Sequence, residues 1–159
     1  MLSYQHIYHA GNFADLHKHA VLALTLKALR LKAQPLSVLD THAGRGIYDL
    51  NSAEAGKTLE FQSGITRLWE TKQPAEPLRH LLEIVKKHNP DGTLRYYPGS
   101  SAIARDMLKP ADRLICIERH PGEYTELQRA LGARPQTTLL QEDGLKYLAE
   151  RMPLPERRG

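Results

Sequence analysis

The chain has 159 residues, 41% hydrophobic and 25% charged, with 22 Lys and Arg against 18 Asp and Glu and a formal net charge of +4. This is length for one compact domain, and the composition excludes the disordered and fibrous classes. Cys116 is the single cysteine, which excludes a disulfide framework and any multi-cysteine zinc or iron–sulfur site. No apolar run approaches the ~20 residues of a membrane helix. Met1 to Ala20 lack the basic-then-apolar order of a signal peptide. A cytoplasmic protein away from membranes is expected. The mild basic excess permits a polyanionic partner without demanding one.

In chain order, Tyr4 to Asn12 is polar and aromatic, with a turn expected at Gly11-Asn12. Leu16, Ala20, Val21, Leu24, Ala28 and Leu31 recur at helical spacing, predicting a helix over 15–32 with Asp15 as its cap and Pro35 beyond its end. Ser37 to Asp40 reads as a buried strand that runs into the glycine turn Thr41-His42-Ala43-Gly44-Arg45-Gly46. A long middle section holds two expected helices, 61–70 and 77–88, and a short extended piece at 94–97. Ser100 is expected to cap a helix over 102–108. Arg113 to Glu118 reads as a second strand, 121–131 as a helix with Pro near its first turn, and 137–141 as a third strand ending at Asp143-Gly144. A short helix over 145–152 follows. Strands alternating with helices predict an α/β fold around a parallel sheet.

Three features fall at the carboxyl ends of these strands, where open α/β sheets bind ligands. Gly44 and Gly46 let a backbone approach a ligand closely and offer N–H groups. Glu118 ends the second strand, where an acidic side chain commonly holds ribose hydroxyls, though it also reads as an ordinary solvated strand end. Asp143 either accepts from an adenine amino group or caps the following helix. Together they suggest a cofactor containing adenosine. A nicotinamide-binding unit places its acidic residue ~20 positions after the glycines; Glu118 lies far beyond Gly46, across the middle section. That spacing suits a nucleoside cofactor with an insertion after the first strand. Gly56-Lys57-Thr58 resembles the end of a phosphate loop, but Asn51 stands where the first glycine belongs.

Tyr4, His6, Tyr8, His9, His17, Lys18 and His19 crowd the first twenty residues. A metal site is disfavoured, since residues two apart on a helix do not face each other and a site needs three or four converging ligands. A cationic, aromatic surface for a phosphate backbone and a stacked base is the better functional reading, beside that of an ordinary solvated segment.

Several blocks closely resemble the RlmJ-type 23S rRNA adenine-N6 methyltransferases. These are Met1-Leu2-Ser3-Tyr4, His9-Ala10-Gly11-Asn12, Asp15, Lys18-His19, Leu39 to Gly44 with Gly46 and Tyr48, Leu94 to Ser100, Ile103-Ala104-Arg105, Glu118 with His120-Pro121, and Asp143-Gly144. The resemblance runs in register along the whole chain. It implies a class I, Rossmann-like S-adenosylmethionine-dependent methyltransferase sheet with a helical insertion after the first strand. The substrate implied is the N6 of an adenine in 23S rRNA. His19, His42, Gly44, Gly46, Ser100, Glu118, Asp143 and Gly144 would form the cofactor site, with Glu118 on the ribose and Asp143 on the adenine. Tyr4 would contact RNA, and His6 and Lys18 would line the active site. The corresponding division is 1–48 for the N-terminal motif, helix and first strand, 49–110 for the insertion, and 111–159 for the second and third strands. No metal is implied, and a monomer is expected.

The family's Asp-Pro-Pro-Tyr motif, which accepts hydrogen bonds from the target amino group and stacks on the flipped base, does not occur here. No catalytic residue is therefore assigned. The expectation is an incomplete methyltransferase sheet that holds the cofactor half and does not turn over. The alternative is a non-catalytic RNA- or nucleoside-binding module.

Overall fold

The computed structural model describes residues 5–151. A single 3-10 turn (His6–Tyr8) leads into α1 (Phe13–Leu29), β1 (Ser37–Asp40), β2 (Ile47–Asp49) and α2 (Ala53–Thr58). A π-helical turn (Gln62–Thr66), α3 (Arg67–Glu70), α4 (Glu76–Lys87) and β3 (Tyr96–Pro98) follow. The chain continues through α5 (Ser100–Met107), β4 (Arg113–Ile117), α6 (Pro121–Leu131), β5 (Thr137–Leu140) and α7 (Gly144–Arg151).

The three apolar runs form one parallel sheet in the order β1-β4-β5. Val38 lies opposite Leu114 and Asp40 opposite Cys116; on the other side Ile117 lies opposite Leu140. β4 is flanked on both sides, and its Leu114, Cys116 and Ile117 are fully buried, as the central strand of a parallel sheet should be. Burial pushes the Cys116 thiol far above its ordinary range, so it packs as a small apolar side chain. α5 lies on β1 and β4 and also meets α6, while α1 packs against α4 and α5. This is the α/β architecture expected of a Rossmann-like sheet, represented here by three parallel strands.

The middle section is less purely helical than its composition predicts. β2 and β3 pair antiparallel, Tyr48 opposite Tyr97, into a separate ribbon. Both strands are three residues long, too short for a period-2 pattern to stand out. The helix expected over 61–70 is broken by the π turn. Ile65 N–H donates 2.8 Å to the Gly11 carbonyl, and a Cβ on Gly64 would lie 2.1 Å from that same oxygen. The close crossing of residues 11–12 thus takes an amide out of the helix ladder.

Two expected caps are corrected. Asn12, not Asp15, caps α1: its side chain accepts from Asp15 N–H at 2.9 Å. Asp15 lies inside the first turn with its carboxylate buried. Ser100 does not cap α5 either. It is the first helical residue, after an extended Gly99, and its hydroxyl donates to Asp40 Oδ2 at 2.6 Å.

Candidate cofactor pocket

At the carboxyl ends of β1 and β4 the chain is braced into a cavity of about 410 Å³, within the range of small-molecule sites. Asp40 starts the bracing. Its Oδ1 accepts from His42 N–H at 3.2 Å, while its Oδ2 takes the Ser100 hydroxyl. Ala43 N–H donates to the Ile117 carbonyl at 3.0 Å, carrying the strand pairing into the turn. Gly44 and Gly46 have φ of +59° and +80°, a region L side chains rarely adopt. A Cβ on Gly44 would meet the Tyr48 hydroxyl at 2.3 Å. Gly99 N–H closes the turn on the Gly46 carbonyl at 2.8 Å.

Glu118 stands one residue past β4. Its Oε2 accepts from Gly44 N–H at 2.9 Å and its Oε1 from His120 N–H at 2.7 Å. An ionised carboxylate offers about four acceptor positions, so each oxygen keeps one beyond its backbone partner. Those two acceptors suit a pair of adjacent hydroxyls. Behind this wall Arg45 makes a two-pronged bond to Glu123, Nε to Oε2 at 3.0 Å and the terminal nitrogen to Oε1 at 2.5 Å. Glu123 is buried, and its hydrogen bond raises the Arg45 pKa against the opposing effect of burial.

The other side of the cavity comes from residues 6–19 and the β2–β3 ribbon. Asp15 is fully buried. Its Oδ2 accepts from Gly11 N–H at 3.0 Å and meets His6 Nε2 at 2.7 Å. Lys18 Nζ lies 2.8 Å from Oδ1. Burial alone would raise the Asp15 carboxyl. The bond and charge of His6, with His19 and Lys18, overcome that and hold it far below the usual carboxylate range. One turn on, His19 is buried, with Nδ1 2.8 Å from the Tyr97 hydroxyl. Burial lowers its pKa from 6.5 to about 4, Asp15 opposing and Lys18 and His6 adding to the effect. It is a neutral imidazole near pH 7. His6 also meets Tyr48 edge-on, ring centroids 5.3 Å apart.

The middle section holds this wall from outside. Glu60 bridges His9 Nδ1 and Asn12 Nδ2, both at 2.9 Å, and the Thr58 hydroxyl donates to the Tyr8 carbonyl. His6, His9 and His19 thus engage three different partners. Among the described residues no group of three or more His, Cys, Asp or Glu is arranged to hold a metal ion.

Of the residues the sequence singled out, His6, Lys18, His19, His42, Gly44, Ser100 and Glu118 line this one cavity. Gly46 braces the turn by its carbonyl and packs against Leu127 and Ala130. Asp143 and Gly144 lie at the neighbouring strand end, outside the lining. Asp143 Oδ1 accepts from Leu145 and Lys146 N–H at 3.1 Å, the capping alternative, and Oδ2 meets Arg119 at 3.0 Å. A Cβ on Gly144 would lie 2.0 Å from the Thr41 carbonyl oxygen. Tyr4 lies outside the described residues. Sequence reasoning assigned no role to Gly99, Tyr48 or Glu123, which also line the cavity. Tyr48 and Gly99 stood within matched blocks; Glu123 pairs with a residue 78 positions away, and nothing local signals that.

Comparisons with known proteins bear on this arrangement. A family model described as "Ribosomal RNA large subunit methyltransferase D, RlmJ" matches residues 33–159. The chain belongs to this family. It is 41% identical over 159 residues to "Ribosomal RNA large subunit methyltransferase J" of Escherichia coli K12, covering all of this chain and 57% of that protein. The protein of the same name from Haemophilus influenzae Rd is also 41% identical, again with 57% of its length covered. A crystal structure of protein LPL1258 from Legionella pneumophila superposes with a TM-score of 0.82 at 38% identity, covering 92% of this chain and 54% of that one. The chain thus spans a little over half the length of these relatives.

Proposed function

We propose that this pocket binds S-adenosylmethionine and that the protein acts as a methyltransferase on the N6 of an adenine in 23S rRNA. The carrying observation is Glu118, whose carboxylate is fixed by two backbone amides and keeps two acceptor positions on a cavity at the carboxyl edge of a parallel sheet. The names of the family and its two curated relatives supply the reaction class and the ribosomal RNA substrate.

Residue roles follow from placement. Glu118 takes the ribose hydroxyls. Gly44 keeps the turn free of a side chain at the cavity, so that the ligand reaches the backbone, and Gly46 lets the turn pack on α6 behind it. Asp143 and Gly144 extend the site along the sheet edge toward the adenine. Ser100 and the neutral His19 supply polar contacts at the opposite end, and His42 lies between, near Asp143. The cofactor, when bound, supplies an electrophilic methyl group on a sulfonium. His6 and Lys18 line the mouth, with Tyr4 as an RNA contact. α1 begins with Phe13, 73% exposed, beside exposed His17 and Lys18, a pairing of ring and cation that suits a base and its phosphate. The partner is 23S rRNA and the place of action the cytoplasm. Residues 49–110 are the insertion between the first strand and the rest of the sheet. Among the described residues no helix is long and apolar enough to cross a membrane.

The test is calorimetric titration with S-adenosylhomocysteine, with NAD and ATP as controls. Selective binding that weakens roughly 10- to 100-fold in Glu118→Ala is expected, the loss of a charged hydrogen-bonding pair. Equal binding of NAD, or binding indifferent to Glu118, overturns the assignment. These 159 residues contain no Asp-Pro-Pro-Tyr, so labelled methyl transfer to unmodified 23S rRNA is expected only from a protein that also carries that motif.

A further inference from the structure

Asp15 has no solvent exposure and three partners. Two of these, His6 and Lys18, line the cavity and carry its basic character on that side, with His19 one turn further along α1. No acid of the sheet side is in an ion pair with His6 or Lys18 among the described residues. Glu123 is paired with Arg45, and Glu118 is held by the Gly44 and His120 amides. The counter-charge for the His6–Lys18 wall is therefore Asp15. If the ribose rests on Glu118, the rest of a nucleoside cofactor extends from the sheet toward this wall. A cation arriving beside the Lys18 ammonium is disfavoured unless that charge is offset.

We propose that Asp15 is a positioning residue for the sulfonium end of the cofactor: it anchors His6 and Lys18 in the cavity wall and offsets the lysine's charge, so that a cation is accepted there. This rests on the S-adenosylmethionine reading above. It assigns a role to a residue that the sequence marked as a helix cap and as part of a matched block, with no function attached.

The test compares two ligands that differ in the charge. S-adenosylmethionine is a sulfonium cation; S-adenosylhomocysteine is its neutral thioether. Asp15→Asn keeps the size of the side chain and an acceptor for the Gly11 amide but removes the charge. A unit charge in the second layer behind a bound cation, at an effective dielectric of about 20, changes its binding on the order of tenfold. Asp15→Asn should therefore weaken S-adenosylmethionine by about that factor and S-adenosylhomocysteine by less than about threefold. Adding Lys18→Met should restore the ratio of the two affinities. Lys18→Met alone, which leaves the His6 and Gly11 contacts of Asp15 in place, should shift the ratio the opposite way. That shift should be only a few-fold, because the Lys18 side chain is 59% exposed and screened. This last variant decides the matter should Asp15→Asn not fold. Equal weakening of both ligands by Asp15→Asn, or a ratio unmoved in Lys18→Met, overturns the proposal and reduces Asp15 to a structural anchor. Failure of the wild-type protein to bind either ligand would instead remove the cofactor reading, and this inference with it.

Discussion

On the sheet side of the cavity, Gly44, Gly46 and Gly99 shape a turn from backbone hydrogen bonds, and one carboxylate, Glu118, is fixed by two amides. On the α1 side, a buried acid, two histidines, a lysine and two tyrosines hold one another, with no glycine between Asn12 and Leu29. The first wall depends on conformations that a side chain would forbid. The second depends on charges that burial would forbid were they not paired. The two should therefore fail in different ways, the first to added volume and the second to changed charge or acidity.

The Arg45–Glu123 pair behind the sheet wall is the exception that sharpens this contrast, because it is a buried charge pair on the glycine side. Arg45→Met leaves Glu123 buried without its partner and should cost about 3–5 kcal/mol of stability, read by urea denaturation. A loss below about 1 kcal/mol would mean that the sheet wall does not depend on charge at all.

Acid should act mainly through the α1 wall. Folding lowers the His19 pKa from 6.5 to about 4, so between those values the unfolded chain binds the extra proton first. The stability present above pH 6.5 is lost as pH falls toward 4, on the order of 3 kcal/mol in total. Asp15, also depressed in the folded state, adds a further loss below its ordinary range near pH 4. The denaturation midpoint should therefore slope downward across pH 6.5–4, and His19→Gln should flatten that slope. An unchanged slope in the variant would place the acid sensitivity elsewhere.

Gly44→Ala tests volume on the sheet wall. A left-handed φ and a Cβ 2.3 Å from the Tyr48 hydroxyl predict a cost of about 1–3 kcal/mol. The denaturation midpoint should drop at every pH alike. A pH-dependent drop would tie Gly44 to the α1 wall instead.

The smallest effect belongs to Arg95–Asp49, an ion pair at 2.8 Å on the outer face of the ribbon. It is exposed and salt-screened, so Arg95→Met should leave the melting temperature unchanged within error.

The parallel sheet, its strand ends and Glu118 were legible in the sequence because each depends on local pattern: an apolar run of four or five residues closed by a glycine or an acid. The caps were misread for a physical reason. Asp15 and Ser100 are cap-type residues within a position or two of a helix start, but both side chains are drawn away, one to His6 and Lys18 and the other to Asp40, 60 residues back. The extended piece expected at 94–97 overlaps β3, but β2, its pairing with β3 and the π turn were not legible. The pairing and the turn depend on crossings distant in sequence, Tyr48 with Tyr97 and Ile65 with Gly11, which leave no periodicity. The resemblance brought Tyr48 and Asp15 into matched blocks, but only packing shows Asp15 buried beneath two lining residues.

The most direct test of the account is a crystal structure of the protein with S-adenosylhomocysteine. The account predicts both ribose hydroxyls on the Glu118 carboxylate, with the sulfur end of the ligand turned toward the His6–Lys18–His19 wall. A ligand bound with its ribose away from Glu118, or with its sulfur end turned from that wall, would contradict it.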